Sequence, residues 1–387
     1  MEPSREDIDA GIELIRELSE EIGPRPPCSP EEKQAAQLIR GKLVADSAPP
    51  AEIVPFDSTR SFGPSYLAVF GLALSAGLLE RRSKTAGFVA GASAAALAIG
   101  ESRFASRTPL RFMKWGRSQN VFTVIPPRGE VRRTVVLVSH MDSSRSGLMF
   151  HPKVTPRLGN TVAGVGVAVA VQALAPLLRR FGVGRGILTL ARLVIAAAAA
   201  LVVERELRGE DVPGANDNAS GAAACVSLAR HFTSEPPEHT QVVVLVTGSE
   251  ESGVFGMREF LGGLDTGGFE FINFDGVGAD APLRVLSKEG GPLSTLHADP
   301  GLLEAAEAVG VKHPELRAEP LANGSGLPYD ATPVMAAGGK AISIVNQEGA
   351  IPNYHWPTDT FDRISPEAFE RAVKFGAALV RQLDSTA

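Results

Sequence analysis

Five side chains able to hold a metal ion recur along this chain of 387 residues. They are His140 in VVLVSHMDS, Asp217 in GANDNASG, Glu251 in VTGSEESG, Asp275 in INFDGVG and His355 in NYHWPTDT. Catalytic zinc takes imidazole nitrogen and carboxylate oxygen and keeps one position open for water. Five such groups serve two ions only if one of them bridges, and an aspartate can bridge with its two oxygens. Glu250, next to Glu251, is a spare carboxylate of the kind a general base requires. A pair of zinc ions would acidify a shared water and stabilise the oxyanion formed on attack. Glu250, within reach of that water, would take its proton and pass it to a leaving amine.

Taken singly, each residue has an ordinary use. Asp217 sits in an Asn/Asp/Ser/Gly stretch that could simply start a helix. Glu250 and Glu251 could be an acidic first turn, and Asp275 a turn residue at a strand end. Their joint placement is more informative. The runs 120–126, 134–140, 241–248, 269–275 and 340–346 are β-branched and apolar, as strands buried on both faces are. Segments 5–21, 30–44, 220–232, 252–263, 301–310 and 365–383 read as helices, and AEIVPF as a short strand. Strands alternating with helices predict a mixed, mostly parallel central sheet flanked by helices. Four of the five candidate ligands fall at the carboxyl ends of such runs or in turns before helices. Sites in open α/β sheets gather at that edge.

With the motifs HMD, GANDNASG, GSEESGVFG, NFDG and YHWPTDT, the chain resembles the di-zinc aminopeptidases of the aminopeptidase Y and bacterial leucyl aminopeptidase family. The similarity covers most of residues 1–60 and 115–387. It implies a zinc-exopeptidase fold with two zinc ions, a peptide as substrate, and His140 and Asp275 on one zinc. Glu251 and His355 would hold the other, Asp217 would bridge, and Glu250 would be the general acid/base. Asp142, two residues after His140, would orient that imidazole. Tyr354 and Asp330 are candidate substrate contacts; the residue after Asp330 is Ala331, where the family often has histidine. Related activities on the same site are carboxypeptidase or dipeptidase action and glutaminyl cyclisation. A binding module that has lost catalysis is the reading from another class, against which the complete set of ligands and base argues.

Residues 61–104 and 155–208 break the resemblance. Apart from basic clusters and Arg192 they carry long uncharged stretches, and each reads as two apolar helices joined by a basic turn. They are expected as helical-hairpin insertions in a single peptidase domain, 1–387, that dip into or span a membrane. The basic turns hold Arg81, Arg82, Lys84, Arg179, Arg180 and Arg185; the domain-side flanks hold more, including Arg103, Arg107, Arg111 and Lys114. That bias, with an N-terminus lacking a signal-like apolar core, predicts a cytoplasmic active site. A net charge of −6 gives no footprint for nucleic acid, and two cysteines make no disulfide framework.

Overall fold

The computed structural model describes residues 2–45, 50–80, 82–102, 104, 115–182, 184–263, 267–291, 294–316, 318–321 and 327–387. Arg81 of the first basic turn, and Arg103, Arg107, Arg111 and Lys114 of the flanks, lie outside the described residues.

The β-branched runs form the strands that their composition predicts. β1 (Glu52–Ser58), β2 (Gly116–Ile125), β3 (Arg133–His140), β4 (Thr240–Thr247), β5 (Glu270–Phe274) and β10 (Lys340–Asn346) lie in one sheet. Two shorter strands, β6 (Leu283–Leu286) and β9 (Glu319–Leu321), complete it in the order β1-β2-β4-β3-β5-β10-β6-β9. The central run β4-β3-β5-β10 is parallel. β1 and β2 at one side, and β6 against β10, pair antiparallel. β7 (Lys288–Gly291) and β8 (Ser294–His297) make a separate hairpin. Val135, Val136, Leu137 and Val138 are fully buried, as expected of a strand covered on both faces. β6 to β9, three or four residues each, are too short to show a period in sequence.

Helices α1 (Arg5–Arg16), α2 (Pro30–Ala45) and α12 (Pro366–Asp384) gather around α8 (Gly221–Ser234), which packs on β3 and β4. α12 shows why: Phe369, Val373, Gly376, Val380 and Leu383 recur at helical spacing and are all buried, and Ser365 caps its start by accepting from Ala368 N. α10 (Pro300–Lys312) lies against α12, and α9 (Phe255–Gly263) against α11 (Ala331–Ala336). The helix predicted from 252 begins only at Phe255, because Ser249–Val254 form a tight turn with positive φ at Ser249 and Val254.

The apolar segments fold as α3 (Gly63–Leu79) with α4 (Lys84–Ser102), and α5 (Leu158–Ala173) with α6 (Ala175–Arg180) and α7 (Arg185–Arg208). The second segment breaks at Leu174, earlier than the charge pattern predicts. The two hairpins pack on each other, α3 on α5 and α7 and α4 on α5, into one bundle. Its interior holds Val69, Phe70, Ala73, Ala94, Ala168, Val169, Ala191 and Ile195. At the far tip an Arg179–Glu80 ion pair ties one hairpin to the other. Arg192, the one charge inside the second block, turns inward and donates to Gln172 at 3.2 Å. Among the described residues one helix, α7, is long and apolar enough to cross a bilayer.

Candidate metal centre

β3 delivers His140 at its last residue, and β5 delivers Asp275 immediately after its end. The turn after β4 carries Glu250 and Glu251, the kinked segment before α8 carries Asp217, and the loop after β10 carries His355. The structure brings these residues together at the carboxyl edge of the parallel strands, where open α/β sheets form their clefts.

The distances define the arrangement. His140 Nε2 lies 3.4 Å from Asp217 Oδ1 and 3.5 Å from Asp275 Oδ2. His355 Nε2 lies 3.2 Å from Asp217 Oδ2 and 3.2 Å from Glu251 Oε1. Asp217 therefore faces a different imidazole with each oxygen. All five side chains are buried. Asp217 Oδ2, Glu251 Oε1 and His355 Nδ1 are buried without a hydrogen-bond partner.

Asp142 lies against the His140 ring, as the resemblance implies for a residue that orients it, and contacts it mainly through its backbone. The His140 Nδ1 proton goes to the backbone carbonyl of Asp142 at 3.0 Å, while the carboxylate is 3.6 Å from that nitrogen. Its two oxygens instead accept from Glu250 N and Glu251 N, each at 3.1 Å. One residue thereby orients the imidazole through its backbone and holds the Glu250–Glu251 turn through its side chain. Three further residues, not singled out by motif, fix the same centre. Asp359 accepts from Asn216 N at 2.7 Å and Asp217 N at 3.0 Å. Glu32 accepts from Ser249 N at 2.8 Å, bracing the turn from the other side. Arg25, wholly buried, donates to the carbonyls of Met141 and Gly214 at 2.7 Å each, joining the end of β3 to the segment bearing Asp217. Gly214 sits at φ +60, and a Cβ there would meet Asp217 O at 2.5 Å. Asp359 lies inside the motif YHWPTDT and was open to recognition; Arg25, in a turn-rich GPRPP, left only the oddity of a charge among prolines.

His355 occupies the left-handed region at φ +50, as does Asn353 at +57. Such backbone costs on the order of 1–3 kcal/mol and persists where surroundings enforce it. Here Tyr354 stacks on the His355 ring with centroids 3.8 Å apart, and Phe150 meets it edge-on at 4.4 Å. Tyr354 also lines a cavity of about 240 Å³ together with Glu250, Glu251 and His355. Asp330 does not line it: fully buried, it accepts from the Thr247 hydroxyl at 2.7 Å beneath the centre. As a direct substrate contact Asp330 is thus replaced by a supporting acid.

Electrostatics show what the site demands. Burial pushes Asp275 up to about 6, against the pull of His140. Burial also raises Glu250 well above the usual carboxylate range, with Glu251, Asp330 and Asp275 adding to it. Burial opposes ionisation of Asp217, yet His140 and His355 hold it below its usual value. Against burial, Glu251 and Asp217 lift His355 to about 9. The carboxylates outnumber the imidazoles and call for positive charge where they converge. The donor set, buried nitrogen and oxygen with unpartnered oxygens facing inward, fits zinc. His140, Asp217 and Glu251 each offer an atom within 4.8 Å of one another.

Residues 202–380 match the profile of Peptidase family M28. Among solved structures, BSAP, a zinc aminopeptidase from Bacillus subtilis, matches with a TM-score of 0.58 and 15% identity, over 97% of this chain and 95% of that one. An aminopeptidase from Aneurinibacillus sp. strain AM-1 matches with a TM-score of 0.58 and 14% identity, over 97% and 93%. An Acidobacteriales bacterium glutaminyl cyclase gives a TM-score of 0.58 and 13% identity, over 100% and 98%. A comparison with curated protein sequences finds no match. The resemblance to di-zinc aminopeptidases is borne out by the family profile over residues 202–380 and by the shared fold.

Proposed function

We propose that the protein is a co-catalytic zinc aminopeptidase that releases N-terminal residues from peptides. The observation that supports this reading best is Asp217, whose two oxygens face His140 and His355 separately. His140 and Asp275 would hold one zinc, Glu251 and His355 the other, with Asp217 shared between them. When bound, the metals would supply an acidified water and an electrophile for the scissile carbonyl. Glu250, freed from coordination by its neighbour Glu251, takes the proton of the attacking water and returns it to the leaving nitrogen. Tyr354, whose phenol burial keeps protonated well past the usual range, would donate to the carbonyl oxygen. Asp142 and Asp359 keep the base and the shared aspartate in position through backbone amides.

The cyclase alternative shares this fold. Aminoacyl-anilides, with and without chelator, separate the readings. Chelator-sensitive release of aniline supports the aminopeptidase; loss of ammonia from a glutaminyl peptide, with no aniline released from any anilide, would overturn it.

We read the chain as one peptidase domain, 1–387, with the bundle-forming segments 61–104 and 155–208 as insertions. The bundle anchors it at a membrane, with the catalytic part on the cytoplasmic side. Support comes from its outward face, where Leu78, Phe88, Val89, Val167, Leu190 and Leu193 are exposed. Exposed apolar area of that extent marks a surface made for another apolar phase. α7, with 24 residues, is about 36 Å long, enough for a hydrocarbon core of about 30 Å. An alkaline carbonate wash of membranes should leave the protein in the pellet; complete release would exclude integral insertion.

A further inference from the structure

The cavity at the metal centre does not end there. From Glu250, Glu251 and His355 it continues between the bundle helices, past Phe62 and Phe70 of the first hairpin and Leu158, Val165 and Val169 of α5. Leu158 to Val169 on α5 span about 16 Å along the axis at 1.5 Å per residue. Ala98 on α4 and Ala198 on α7 line the same space and are small, which keeps it open. Most side chains along it are apolar, with Ser65, Glu101 and Thr161 as the polar exceptions in the bundle and Tyr66 carrying a hydroxyl. The acid that enters from the bundle, Glu101, lies 3.6 Å from Arg258 Nη1 and so is already met by a cation. Thr161 gives its hydroxyl to Arg157 O at 3.1 Å.

A deep apolar slot that opens onto a catalytic centre has a chemical meaning. Water in it gains little from its walls, whereas a hydrocarbon chain removes those walls and itself from water. We propose that the bundle cavity receives a long aliphatic chain attached to the acyl part of the scissile amide, so that the substrates are lipid-like aminoacyl or acyl amides. This rests on the proposed hydrolase reading and names the substrate class of the same site. Two sources share that chemistry: a linear side chain on an N-terminal residue, or a fatty acyl group on its nitrogen. The bundle's outer apolar surface fits such a substrate, because a chain of this kind resides in the bilayer in which the bundle would sit.

Binding tests this apart from turnover. Calorimetry of the full-length, zinc-loaded protein in nanodiscs would compare alanine, 2-aminohexanoic acid and 2-aminodecanoic acid, and in a second arm N-hexanoyl- and N-decanoyl-alanine. Each methylene buried should tighten binding about fourfold. A steep rise in either arm supports the proposal and identifies the source. Affinity that stays flat in both arms overturns it. Ala198→Trp, and Ala98→Trp should the first variant not fold, should flatten the rise; Leu190→Gln, on the outer face of α7, should keep it. A rise that persists in both tryptophan variants places the chain elsewhere and overturns the proposal. Failure of the aminopeptidase reading shows up separately, as absence of anilide hydrolysis.

Discussion

The sheet layer and the helical bundle present opposite kinds of side chain at their surfaces. Around β3 and α12 the interior holds Val, Leu, Ile and Phe, while charged residues such as Glu370 and Lys374 pair at the surface. In the bundle, Ala73, Ala94, Ala168 and Ala191 point inward, while Phe88 is 58% exposed and Leu190 and Leu193 are 62% exposed. Small residues inside let helices approach closely, and large apolar residues outside suit a surrounding that is not water. The contrast is what the proposed membrane anchor requires of the bundle and not of the sheet layer. The candidate metal centre lies at their junction, because its cavity is lined from both sides.

The predictions that sharpen this contrast begin with the largest effect. Glu250→Gln should lower anilide hydrolysis by roughly 10²–10⁴-fold with zinc content unchanged by metal analysis; loss of zinc along with activity would make Glu250 a ligand instead of the base. Arg25→Met should destabilise the sheet half by at least about 3 kcal/mol, because several buried carbonyls lose their donor; urea unfolding reads this, and a variant as stable as the parent would contradict the role given to Arg25. Leu193→Lys tests the other half. At the centre of a bilayer span such a charge costs about 2.5–3.5 kcal/mol, so the variant should shift from membrane pellet to supernatant. Unchanged partitioning would remove the distinction between the two regions.

Smaller effects follow. Asp142→Asn should reduce activity or zinc affinity by about 10–100-fold, since it leaves the Glu250–Glu251 turn with a weaker acceptor; full activity would show the turn holds itself. The smallest concerns pH. Burial, with Arg381 nearby, holds the His231 imidazole below its usual value of 6.5. The folded state therefore binds that proton less readily than the unfolded chain. Its contribution to stability is complete above the unfolded value and is lost as pH falls through the lower folded one. Unfolding midpoints measured from about pH 7.5 to about pH 5 should fall in the parent and fall less in His231→Gln; parallel curves would reject the assignment.

Much of the centre was legible because ligation demands particular residue types. His140, Asp275 and the Glu250–Glu251 pair follow apolar strands, so their common edge could be read from strand pattern alone. Glu32 and Arg25 were not legible as parts of the site, because they act on backbone groups, and any sequence can supply those. Asp142 shows the boundary: its proximity to His140 was visible, but the atoms it bonds depend on where the turn after β4 comes to rest. Asp330 shows the same boundary, since whether an acid faces a cleft or lies beneath it is a matter of packing.

Sequence by itself determined the alternation of strand and helix, the candidate metal-binding groups and the existence of two apolar hairpins, because these depend on local pattern and side-chain chemistry. Tertiary structure alone decided that the hairpins join in one bundle, that Asp217 turns an oxygen to each histidine, and that the catalytic cavity runs on into the apolar helices. Those features arise from contacts between residues tens to hundreds of positions apart, and no local preference encodes the direction in which a folded chain brings them together.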